Sequence, residues 1–144
     1  MTYATSEIAL GTKAPDFALL DSVTGRIITL HDVASGKATI IMFSCNHCPY
    51  VLHILDKVVE IAGKYQQRGV GFAAISANDP AMYPQDGMEQ MKALAQERGF
   101  TFPYLYDQTQ QVARTYQAVC TPEFFVFDEH LRLAYRGQFD SSRP

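Results

Sequence analysis

Four apolar runs of strand length punctuate the chain: ATIIMFS (38–44), VGFAAIS (70–76), EFFVF (123–127) and LRLAYRG (131–137). The first is continuous and β-branched, the mark of a strand buried on both faces, and the second reads the same way. Between them the period changes. Leu52, Leu55, Val58, Val59 and Ala62 recur at three and four residues, with Asp56, Lys57, Glu60 and Lys64 interleaved, which predicts an amphipathic helix from Val51 to a stop at Gly69. MEQMKALAQERG (88–99) predicts a second helix, stopped by Gly99, and DQTQQVARTYQ (107–117) a short third one with Asp107 as its cap. FPYLY (102–106) is a short extended piece, and ANDPAMYPQDG (77–87) is a loop. At the front, APDFALL (14–20) and RIITL (26–30) flank a DSVTG turn in which Gly25 reverses the chain, so they predict a β-hairpin.

The order β-β-β-α-β-α-(short α)-β-β fixes the class. A strand, helix and strand joined by a long crossover pair in parallel with a right-handed connection. The last two strands turn tightly at Asp128–His130 and pair antiparallel. The expected architecture is a mixed central sheet with helices on both faces, preceded by an N-terminal extension (1–36) carrying the hairpin. Only QFDSSRP follows the final strand, although its outer face needs a cover. A partner or a missing C-terminal helix would supply it, and the second is the preferred reading.

Composition narrows the function. At 144 residues, with 47% hydrophobic and 19% charged residues, the chain suits one packed domain and not a disordered segment. A net charge of −3 without a basic run argues against nucleic acid. No stretch approaches the ~18 apolar residues of a membrane span. The first residues lack the cationic and apolar blocks of a signal peptide, so the cytoplasm is the expected compartment. Three cysteines are too few and too unpaired for a disulfide scaffold.

The chemistry therefore centres on FSCNHCPY (43–50). Cys45 ends the buried strand, and Pro49 suits the first turn of the helix that follows. Reaction sites of open α/β sheets gather at this strand end, and helix N–H groups stabilise a thiolate there. Cys45 is expected at the exposed lip as the attacking thiol, with Cys48 resolving from within the first turn. His47 between them would tune the pair by adding positive charge beside the thiolate. A structural zinc needs a second ligand pair, and Cys120 and His53 do not make one, so no metal is expected. The second feature is VCTPEFFVF (119–127), where Thr121-Pro122 opens a strand. A cis bond there would leave the Thr121 backbone to pair with an extended peptide. Cys120 is a candidate third redox thiol or a small buried apolar residue. Tyr83 in the 77–87 loop is a candidate contact of the site.

CNHC after a buried strand, followed far downstream by TP before a hairpin, resembles the thioredoxin fold. The front end GTKAPDFALLDSVTGRIITLHDV resembles the redoxin or alkyl hydroperoxide reductase/thiol-specific antioxidant group. FSCNHCPYV, ISANDP, FPYLYD and AVCTPEFFVFD together are similar to the uncharacterised peroxiredoxin-like members of the thioredoxin superfamily. The resemblance implies catalysis by Cys45 and Cys48 without a cofactor, substrate binding by Thr121 and Pro122, and protein or small-molecule disulfides with a thiol electron donor as partners. A homodimer is left open. Two alternatives also stay open: a peroxiredoxin-like thiol peroxidase and a non-catalytic redox-sensing module. Against the peroxidase, Cys45 stands where that family has Thr, and Pro122 where it has Arg. Thioredoxins carry a buried Asp on the preceding strand; here Thr39 stands near that place, so no acid is expected to assist the resolving thiol. His47 resembles the C-x-H-C of periplasmic disulfide oxidants.

Overall fold

The computed structural model describes residues 6–78, 84–118 and 121–138. Seven strands form one mixed sheet in the order β2-β1-β5-β4-β3-β6-β7. They are β1 (Ala18–Asp21), β2 (Ile27–Thr29), β3 (Thr39–Ser44), β4 (Gly71–Ser76), β5 (Tyr104–Tyr106), β6 (Glu123–Phe127) and β7 (Leu133–Gly137). The central β3–β4 and β4–β5 pairs are parallel, and β3–β6 and β6–β7 are antiparallel. That is the arrangement the element order predicts. The helices are α1 (Leu30–Val33), α2 (Pro49–Gln67), α3 (Met88–Arg98) and α4 (Gln111–Thr115).

Alternation along the strands divides the core. Met42, Ala74, Phe72, Tyr104 and Phe124 pack with Val51, Leu55 and Val58 of α2 and with Met91 and Ala95 of α3. Ile41, Phe43, Ala73, Ile75 and Phe125 face the other way, against Leu30 and Val33 of α1, Tyr116 after α4, and Phe17. Successive side chains of a strand point to opposite faces, so one continuous apolar run serves both layers.

The N-terminal hairpin joins the sheet through the β1–β5 pairs Leu20↔Tyr106 and Asp21↔Leu105. Buried Asp21 fastens the join: its Oδ1 accepts from the N–H groups of Val23 (3.1 Å) and Tyr104 (3.3 Å), and its Oδ2 from the Thr24 hydroxyl (2.9 Å). Leu30 begins a helix instead of ending a strand. Thr29 and Asp32 form a reciprocal capping box, with Thr29 N–H donating to Asp32 Oδ2 at 2.9 Å and Asp32 N–H to Thr29 Oγ1 at 3.2 Å. Asp107 is not the residue adjoining α4; it caps from upstream by accepting the Ala113 N–H at 2.8 Å.

Between α2 and the closing hairpin a groove of about 190 Å³ is lined by Ile40, Val58, Phe124, Val126 and Tyr135, and Tyr135 is 47% exposed. Among the described residues no helix is long and apolar enough to cross a membrane.

Candidate active site

The buried strand β3 delivers Ser44 and then Cys45 to the carboxyl end of the sheet. Cys48 occupies the N-cap of α2, and Pro49 takes the first helical position, where its missing N–H costs no hydrogen bond. The short loop turns Cys45 and Cys48 toward each other: the Cys48 N–H donates to Cys45 Sγ at 3.2 Å. Thr121 meets both thiols. Its hydroxyl lies 3.5 Å from Cys45 Sγ, and its carbonyl accepts from Cys48 Sγ at 3.5 Å. The Thr121–Pro122 bond is cis. The structure thus brings together Cys45, Cys48, Thr121 and Pro122, separated by 76 positions between Cys45 and Thr121.

The expected exposure of the two thiols is corrected. Cys45 is buried, with 1% exposure, whereas Cys48 is half-buried. The Cys45 thiol is pushed up, first by the hydrogen bond it gives to the Cys48 sulfur and then by burial. Cys48 is held down at about 5, chiefly by that same bond from Cys45, helped by the N–H groups of Val51 and Tyr50 and the Thr121 side chain against a desolvation cost. These directions make Cys48 the lower of two coupled thiols. The physical reason is that Cys45 is the more deeply buried, while Cys48 keeps contact with solvent and has the N–H groups of Val51 and Tyr50 beside it.

His47 does not stand alone beside the thiols. Its Nδ1 lies 2.6 Å from Oδ2 of Asp86, whose carboxylate is fully buried. Asp86 also accepts from the Asn46 N–H at 2.6 Å and from Asn78 Nδ2 at 2.9 Å. Tyr104 braces the same loop by donating its hydroxyl to Asn46 Oδ1 at 2.8 Å. Burial pushes the Tyr104 phenol up, so it stays a donor.

Nothing in the sequence pattern marked Asp86. It sits in the 3-10 turn Pro84–Asp86, inside the segment that reads as a loop, and Asp-Gly before a helix is an ordinary turn signal. The loop does wall the site, but through Asp86; Tyr83 lies outside the described residues, as does Cys120. Thr39 supplies no acid, and the buried carboxylate beside this loop is that of Asp86, within 4.8 Å of Cys45 Sγ.

Ligand atoms of Cys45, His47 and Asp86 lie within 4.8 Å of one another. The His47–Asp86 contact of 2.6 Å is a hydrogen-bond separation. Two ligands sharing one tetrahedral ion at ~2.0–2.1 Å stand about 3.3 Å apart. The cluster is thus built as a hydrogen-bonded set.

A cleft of about 410 Å³ opens beside the dithiol, lined by Phe43, Ser44, Asn78, Ala113, Arg114 and Thr121. Thr121 lines the cleft and also contacts both sulfurs.

Comparison with known proteins agrees with this geometry. The AhpC/TSA family profile matches residues 10–136. The chain belongs to the AhpC/TSA family. A thiol-disulfide oxidoreductase ResA of Geobacillus thermodenitrificans (strain NG80-2) is 28% identical over 123 residues, 85% of this chain and 66% of that protein. This AhpC/TSA chain therefore spans just under two thirds of the length of that curated relative. The crystal structure of an uncharacterized conserved protein from Geobacillus kaustophilus superposes with a TM-score of 0.95 at 50% identity, over 100% of this chain and 77% of that one. The thioredoxin domain of a thiol-disulfide oxidoreductase from Bacteroides vulgatus superposes with a TM-score of 0.75 at 17% identity, over 96% and 91% of the two chains. That likeness shows the fold, a thioredoxin-like mixed sheet, on which this AhpC/TSA member places its dithiol.

Proposed function

We propose that the protein is a thiol–disulfide oxidoreductase that cycles Cys45 and Cys48 between dithiol and disulfide. One observation carries the reading: two unlike thiols share one helix start and one threonine, linked by the Cys48 N–H on Cys45 Sγ at 3.2 Å. The Cys48 thiolate attacks a substrate disulfide, forms a mixed disulfide and expels the first substrate thiol. Cys45 then attacks Cys48 Sγ, closes the intramolecular disulfide and releases the second thiol. Two electrons pass from the pair to the substrate, and a thiol donor returns them. Protein disulfides or small-molecule disulfides are the substrate class, in keeping with the name of the ResA relative.

Turnover of insulin or a small disulfide by the reduced protein tests the activity, and its absence would overturn it. Trapping assigns the roles. Cys45→Ser is expected to accumulate a mixed disulfide on Cys48, and Cys48→Ser to accumulate none; stable adduct on Cys45 in Cys48→Ser would reverse the assignment.

A thiol peroxidase is the second reading. It is favoured by the anion on Cys48 at the N-cap of α2, directly before Pro49, in a member of the AhpC/TSA family. Hydrogen peroxide consumption that disappears in Cys48→Ser would support it, and none above the uncatalysed rate would remove it.

A further inference from the structure

We propose that the cleft beside the dithiol selects small disulfides that carry a carboxylate, with Arg114 as the specificity-determining residue. The inference rests on the dithiol reading above and names the substrate class for it.

The cleft adjoins the sulfurs along two walls. Ser44, the residue before Cys45, forms one. Thr121 forms the other, with its hydroxyl 3.5 Å from Cys45 Sγ and its carbonyl 3.5 Å from Cys48 Sγ. A volume of about 410 Å³ lies toward the small end of the ~300–1,000 Å³ range of small-ligand sites. Ala77, Ala113 and Ala118 keep that space open, since their side chains end at Cβ.

Among the described lining residues there is one formal charge, and it is a cation. Arg114 is exposed on α4, and its Nη2 donates to the Thr109 carbonyl at 2.9 Å. That bond tethers the guanidinium and leaves its other N–H groups for a ligand. The chain has 15 acidic residues against 12 Lys and Arg, yet among the described residues none forms an ion pair with Arg114. The two acids on neighbouring elements are spent elsewhere. Asp107 does not line the cleft: its Oδ2 accepts the Ala113 N–H and its Oδ1 is sealed from solvent. Asp86, reached through Asn78, is buried against His47.

A free guanidinium at the edge of a cleft favours a carboxylate, because its planar fork matches the two oxygens and no nearby acid competes for it. An ammonium group in the same place is repelled, and a hydroxyl gains little. One half of the substrate lays its carboxylate against Arg114 while its sulfur meets the dithiol. The exchange itself is the one already described. The attacking thiolate bonds to one substrate sulfur, the substrate S–S bond breaks, and its electron pair leaves on the other half as a thiolate.

Three disulfides with two-carbon arms separate charge from size: anionic dithiodipropionate, neutral hydroxyethyl disulfide and cationic cystamine. Reduced protein is mixed with each, and the loss of its thiols is followed by acid quench, alkylation and mass analysis. Each rate constant is divided by that of dithiothreitol with the same disulfide, which removes differences in intrinsic reactivity. Wild-type protein is expected to favour dithiodipropionate over hydroxyethyl disulfide by roughly fivefold and to rank cystamine last. Fivefold corresponds to ~1 kcal/mol, the upper end for an exposed ion pair. The preference should collapse toward unity at about 1 M salt, where the screening length falls to ~3 Å. Arg114→Glu should invert it in favour of cystamine. If the thermal melt shows that Arg114→Glu does not fold, Arg114→Gln decides, and there the preference should vanish. A wild-type order that matches dithiothreitol would overturn the inference and leave the dithiol reading intact. So would a preference that survives in the folded Arg114 variant. A protein whose thiols are oxidised by none of the three would overturn the dithiol reading, and this inference with it.

Discussion

Replacing Cys45 by alanine should raise the pH at which Cys48 becomes a thiolate. In the native site Cys48 ionises at about 5, and its largest support is the hydrogen bond from the Cys45 side chain. A hydrogen bond to a charged group contributes ~1.5–3 kcal/mol, and the weak S–H donor belongs at the low end. Each pKa unit corresponds to ~1.36 kcal/mol, so losing that donor moves the midpoint up by about one unit. Truncation also admits water, which favours the anion and opposes the shift, but desolvation is the smaller of the two causes. The sign is therefore upward. Iodoacetamide labelling across pH 4–9 (range of about five units, bracketing the ordinary thiol at ~8.5), with peptide mass analysis, reads the midpoint directly. Wild-type protein should label at Cys48 with a midpoint near 5, with Cys45 reacting slowly throughout. At neutral pH an unperturbed thiol near ~8.5 is only a few per cent ionised, so the expected advantage of Cys48 in thiolate fraction is about thirtyfold. A wild-type midpoint at the ordinary thiol value, preferential labelling of Cys45, or an unmoved midpoint in Cys45→Ala would each refute the reasoning.

Stability measurements check the scaffold around the site. A Cβ added at Gly71 would stand 2.1 Å from the Val33 carbonyl oxygen, so Gly71→Ala should destabilise by ~1–3 kcal/mol or more in urea unfolding. Met42→Ala, emptying a fully buried position under α2, should cost ~2–5 kcal/mol by the same measurement. Thr29→Ala removes one half of the capping box at α1 and should cost ~1 kcal/mol, read as a shift in the urea midpoint at constant slope. Tyr104→Phe deletes the donor to Asn46 Oδ1, and ~1 kcal/mol of stability should be lost in the same urea unfolding.

Much of this was legible in the residues because its causes are local. The β-branched run before Cys45 and the proline after Cys48 set a strand end against a helix start, whatever the remainder of the chain does. Thr-Pro before the apolar run EFFVF marked the opening of β6. The continuous apolar run of β3 and the three-and-four spacing in α2 marked a strand buried on both faces and the helix beside it. Two elements were harder to read for the same kind of reason. RIITL looks like a strand through Leu30, but the Thr29–Asp32 box converts its end to a helix. The front hairpin reads as an extension ahead of the main fold, and only the packed sheet shows Asp21 Oδ1 accepting the Tyr104 N–H.

The sequence by itself thus determined the order of elements, the parallel core of the sheet, and the meeting of a dithiol with a threonine and a proline. It could not rank the two cysteines. Exposure and ionisation depend on how far the strand end sinks and which residue caps the helix, and those are settled only when β3, α2 and β6 pack together. It could not supply Asp86 either. That carboxylate reaches His47 across 39 positions of chain, from a turn whose residues carry no periodic signature. Long-range polar contacts are fixed by the juxtaposition of loops, and only the tertiary structure places those loops side by side.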